Sequence, residues 1–147
     1  MRISRHIAAC AFVVLGMAAF AVAEEPVSPR EKLEATLKRA DDELLAKQWD
    51  KALATLAEAL KQTDTAGLEP AEKERVVQIV HYNSGCALAL KGEKDKALDA
   101  VEKSLEAHYY DFDHMAEDHD LDAIRDTPRF KALMEKHKAK AKAYETE

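Results

Sequence analysis

The sequence is poor in the residues that build turns, sheets and covalent scaffolds. Its 147 residues include four Gly, four Pro and two Cys, and only 6% are aromatic. So few Gly and Pro exclude a turn-rich all-β fold, and two cysteines cannot frame a disulfide scaffold. No apolar run reaches the ~18 residues that mark a membrane span; the longest, Ile7 to Phe20, falls short. What the chain does have is 47% hydrophobic residues, enough to exclude a disordered polymer, and long stretches of Ala, Leu, Lys and Glu. These are strong helix formers, so the length and composition predict one all-α domain.

Arg2 and Arg5 precede the apolar run, and Ala21-Val22-Ala23 follows it with small residues at the spacing a signal peptidase accepts. Residues 1–23 therefore read as a signal peptide cleaved after Ala23, which predicts a periplasmic or secreted protein. Cys10 stands near the start of the run, where a lipidated cysteine would not be. Cleavage would remove two of the 22 basic residues and none of the 28 acidic ones, leaving a chain more acidic than the full-length net charge of -6. That balance argues against a nucleic-acid partner. Only Cys86 would survive processing, so helix packing has to carry the stability.

Residues 24–29 read as a flexible leader, with Ser28 capping a helix that opens on Pro29 and runs to about Ala46. Leu33, Leu37, Ala40, Leu44 and Leu45 form its apolar stripe. Asp50 opens a second helix with Ala52, Leu53, Leu56, Ala59 and Leu60 on one face. After a loop from Thr63 to Pro70, a third helix runs to Lys91, burying Val76, Ile79, Val80, Tyr82 or Asn83, Cys86, Ala87 and Leu90. Gly92 ends it. The fourth helix stripes Ala97, Leu98, Val101, Ser104, Leu105 and His108. Tyr109 to Asp126 is acidic and broken, with one or two short turns expected, and Thr127-Pro128 restarts a last helix that buries Phe130, Leu133, Met134 and His137. Residues 143–147 form a tail.

Asp50-Lys51-Ala52-Leu53-Ala54 matches Asp95-Lys96-Ala97-Leu98-Asp99, and a small residue, Ala40 or Gly85, precedes each central alanine by twelve positions. The chain carries one helical hairpin twice. With Gln78 as repeat position 1, Gly85, Gly92, Ala97, Ser104 and Leu105 fall at positions 8, 15, 20, 27 and 28; with Leu33 as position 1, Ala40, Trp49, Ala52, Ala59 and Leu60 fall at 8, 17, 20, 27 and 28. This pattern resembles the tetratricopeptide repeat (TPR), with repeats at about 33–66 and 78–111. Lys47 stands at a turn where glycine is usual, and extra residues separate the copies around Thr63 to Ala71. Residues 111–142 are similar to the closing segment of some bacterial TPR arrays. The resemblance implies antiparallel hairpins stacked as a short right-handed solenoid, with a C-terminal capping helix, over residues 30–142. It also implies a concave protein-binding groove lined by positions 2, 5, 9 and 12, here Glu34, Leu37, Asp41 and Leu44, then Ile79, Tyr82, Cys86 and Ala89. Leu37 and Asp41 depart from the Lys and Asn of domains that grip a C-terminal carboxylate.

Asp118, Asp120, Asp122 and Asp126 match calcium-loop positions 1, 3, 5 and 9, but Ala123 replaces the required glycine and Arg129 the closing glutamate. His114 and His119 fit no zinc-hydrolase order. Cys86 sits mid-helix on an apolar face, as a small core residue does. No nucleophile turn accompanies any Ser, His and Asp set. The expectation is a cofactor-free, non-enzymatic adaptor of the bacterial cell envelope that binds a peptide segment, in the groove the resemblance implies. A self-associating structural module is the competing reading, and an acidic metal-binding protein the third.

Overall fold

A computed structural model describes residues 26–144; the expected signal peptide, its cleavage point and residues 145–147 of the tail lie outside them. The described residues are all-helical: α1 (Pro29–Leu45), α2 (Trp49–Gln62), α3 (Pro70–Leu90), α4 (Lys94–Glu106), α5 (Phe112–Glu117), a 3-10 turn (His119–Leu121), α6 (Asp122–Arg125) and α7 (Pro128–Tyr144). None of these helices is long and apolar enough to cross a membrane. Proline opens α1, α3 and α7, where its missing N–H and fixed φ cost nothing. Ser28 closes the start of α1 reciprocally, its hydroxyl accepting from Glu31 N–H at 3.2 Å while Glu31 accepts from Ser28 N–H at 2.8 Å.

Successive helices pack together, α1 on α2, α2 on α3 and α3 on α4, and the segment after α4 folds back over α3 and α4. The close approaches fall at the small residues. Ala40, Ala52, Ala59 and Ala97 are fully buried. A Cβ built on Gly85 would lie 2.8 Å from Val101 Cγ2, so α3 and α4 touch through the missing side chain. Buried Ser104 adds a polar tie, donating to the Gln78 carbonyl at 2.9 Å. The turns that end α1, α3 and α4 share one geometry, in which a left-handed residue lets the next N–H reach back to the last turn. Lys47 (φ 56°), Gly92 (φ 81°) and His108 (φ 65°) hold that position, followed by Gln48, Glu93 and Tyr109 donating to Glu43, Leu88 and Ser104.

Apolar side chains divide into two clusters that share α3. Leu33, Ala40, Leu56, Ala59, Ala66 and Val80 form one, so the extra residues between the hairpins do more than connect: Ala66 and Leu68 pack into it. The other joins Tyr82, Cys86, Ala89, Leu98, Val101 and Leu105 to Met115, Leu121, Ile124, Phe130, Leu133 and Met134. Three stripe residues depart from the expected burial. Leu45 is 83% exposed, Leu90 43% and Ile79 42%, because no neighbouring helix covers the sides of α1 and α3 on which they stand. His108 leaves the α4 stripe because it is the left-handed residue that ends the helix, and its ring reaches Glu74 at 2.6 Å instead.

Candidate functional site

α1 and α3 bound two cavities. Near their N-terminal ends, Leu33, Glu34, Leu37, Leu68, Glu72 and Val76 line a space of about 300 Å³, closed at one edge by Arg30, which donates two hydrogen bonds to Glu72 at 2.6 and 3.3 Å. Near their C-terminal ends, Leu44, Leu45, Trp49, Tyr82, Asn83, Cys86, Leu90, His114, Asp118 and Asp120 line a space of about 350 Å³. Leu45 and Leu90 are repeat-equivalent, each the last residue of the first helix of its hairpin, and both border this second cavity.

Of the eight residues expected on a groove, Leu44, Tyr82 and Cys86 meet in the second cavity, and Glu34 and Leu37 in the first. Asp41 and Ile79 are exposed and line neither. Ala89 is buried beneath the closing segment. Tyr82 and Cys86 are largely covered as well, because the segment lays Tyr109 and His114 against the Tyr82 ring, with centroids 4.8 and 5.4 Å away. Leu45, Trp49, Leu90 and Asp120 were not expected at a site. The shared repeat position of Leu45 and Leu90 was a usable signal for two of them, whereas Asp120 reaches the cavity only through the fold of an aperiodic segment.

The electrostatics centre on Asp118. Its Oδ2 accepts from the Tyr82 hydroxyl and stands 3.7 Å from Cys86 Sγ, while its Oδ1 accepts from Asp120 N–H at 2.9 Å. Arg125 donates to its backbone carbonyl. Burial pushes the Asp118 carboxyl upward, but the Tyr82 and Asp120 donors and nearby His114 outweigh it and hold the group below its ordinary range. Burial and the Asp118 charge push both the Tyr82 hydroxyl and the Cys86 thiol well up, so neither is an activated nucleophile. Asp120 is raised by burial and by the charges of Asp118 and Asp122, against an opposing pull from His119 and Lys47.

The acidic segment spends several of its carboxylates on its own backbone. Asp111 accepts from His114 N–H at 3.1 Å to start α5, and Asp118 starts the 3-10 turn. Among the described residues no three His, Cys, Asp or Glu side chains converge as a metal site would require. Searches of protein-family models, of curated proteins and of solved structures find no significant match to this chain.

Proposed function

We propose that the protein is a non-enzymatic interaction module of the cell envelope, a short TPR-like right-handed solenoid that holds a peptide segment of another protein between α1 and α3. The order of helix packing, the small residues at each hairpin contact and the repeated left-handed turns support the solenoid reading. One observation carries the functional reading. Leu45 and Leu90, at the same repeat position, stay exposed on the border of one cavity. Burying a leucine side chain is worth about 1.5 to 3 kcal/mol, and the chain forgoes most of that at Leu45 and part of it at Leu90. A partner laid across the cavity would recover it.

Replacing both leucines by glutamate tests this. The double variant is expected to keep its helicity and melting temperature while losing the partner recovered from envelope extract by the unmodified protein. Undiminished capture by the folded variant would refute the groove. A second reading, self-association, has its own support in the charge separation between α7, with Arg129, Lys131, Lys136, Lys138, Lys140 and Lys142 against Glu135, and residues 111–126, with seven carboxylates against Arg125. Solution mass across a salt series decides it, since a charge-paired dimer would dissociate as salt rises.

A further inference from the structure

We propose that the cavity bordered by Leu45 and Leu90 receives one long cationic side chain, an arginine or lysine of the partner polypeptide, its stem along Leu44, Trp49 and Leu90 and its charged head at Asp120. This rests on the groove reading above and adds the chemistry of the residue the groove selects.

Hydrogen-bond accounting separates the two carboxylates on the cavity wall. Asp118 is fully engaged by Tyr82, Cys86 and the Asp120 N–H, and its work is to hold the closing segment on α3. The Asp120 carboxylate forms no hydrogen bond or ion pair with any described residue, although it stands beside apolar walls and two like charges. His119 and Lys47 act on it through their fields without pairing. An apolar anchor filling the cavity would cover the leucines but leave the Asp120 carboxylate at the rim without a partner. A ligand carboxylate would meet Asp118 and Asp120. A bare metal ion would find too few ligands and leave the leucines wet. Arginine and lysine satisfy both demands, since their methylene stems lie on apolar surface while the head keeps its charge and donates to a carboxylate.

The test is selection of random twelve-residue displayed peptides on the purified protein, with counter-selection on the Leu45→Glu, Leu90→Glu variant, so that only groove-dependent binders remain. Those binders are expected to carry Arg or Lys beside a large apolar residue. The best one, synthesised, should lose about tenfold or more in affinity on Asp120→Asn, the range of a charged hydrogen bond, and as much when its basic residue becomes norleucine. The two changes together should cost little more than either alone, and the Asp120→Asn melting temperature should stay level. Groove-dependent binders without basic enrichment, or binding indifferent to Asp120→Asn, would overturn the cation pocket and leave the groove standing. Recovery of no groove-dependent peptide would sink both.

Discussion

The two hairpins are built to one plan and finished differently. In the first, Ala40 faces α2, Lys47 makes the turn, and the hairpin shares its cluster with the loop after α2 and the front half of α3. In the second, Gly85 removes the side chain altogether, Gly92 makes the turn, Ser104 bonds the α3 backbone, and a whole further segment packs over the pair. Identical repeats would leave an apolar end at each side. The first hairpin instead presents charged residues outward, with Arg39 paired to Glu58 at 2.6 Å, and the second needs a cap because its α3 and α4 faces remain apolar.

Breaking the cap separates the two halves most sharply. Leu121→Ala is expected to cost about 2 to 5 kcal/mol, because Leu121 is fully buried between the closing segment and α3. Amide exchange should then speed up first in α4 and the rear of α3, with α1 and α2 protected longer; equal acceleration everywhere would mean that the two clusters unfold as one. A smaller loss is expected from Gly85→Ala. Overpacking against Val101 costs about 1 to 3 kcal/mol and better helix propensity returns about 1. A more stable variant in chemical denaturation would show that the hairpin contact is looser than 2.8 Å implies.

Exchanging the turn residues sharpens the comparison further. Lys47→Gly should stabilise by about 1 kcal/mol and Gly92→Lys destabilise by a similar amount, since each moves a side chain out of or into the left-handed region. Denaturation midpoints shifting in opposite directions would confirm the shared geometry. The mildest effect expected is on acid sensitivity, which should reside in the second half. His137 is buried, and neither of its ring nitrogens has a described hydrogen-bond partner. Burial, with Lys140 and Lys136 nearby, lowers its folded pKa below the ordinary 6.5 despite Glu106 and Glu102. The unfolded chain therefore takes the proton first, and this contribution to stability is present above pH 6.5 and declines as pH falls through it. His81, half-buried near Lys103, acts in the same direction. The fall in melting temperature between pH 7 and 5.5 should shrink in His137→Met; an unchanged slope would assign it elsewhere.

Much of the fold was legible because its signals are local. Pro29, Pro70 and Pro128 mark three helix starts and Gly92 a helix end. The site was less legible. Periodicity tells which face of a helix is apolar but not what covers it, so Leu45 and Leu90 read as core, while Tyr82 and Cys86 fell both on the buried stripe and, through the repeat resemblance, on the groove together with Ala89. The covering element, residues 111–126, has no period to read; Ala123 and Arg129 already set its aspartates apart from a calcium loop, but which backbone groups they cap depends on the fold.

One wall of the candidate cavity belongs to that covering element, whose hold on α3 includes the Tyr82 hydroxyl bond to Asp118. Detachment of the segment would therefore remove that wall of the cavity and uncover the apolar faces of α3 and α4. Apparent affinity for any occupant is the intrinsic affinity scaled by the fraction of molecules with the segment docked. Tyr82→Phe, which removes that bond, would thus weaken binding through occupancy of the docked state, and a tight occupant would in turn hold the segment down, protecting its amides as a ligand protects its own site.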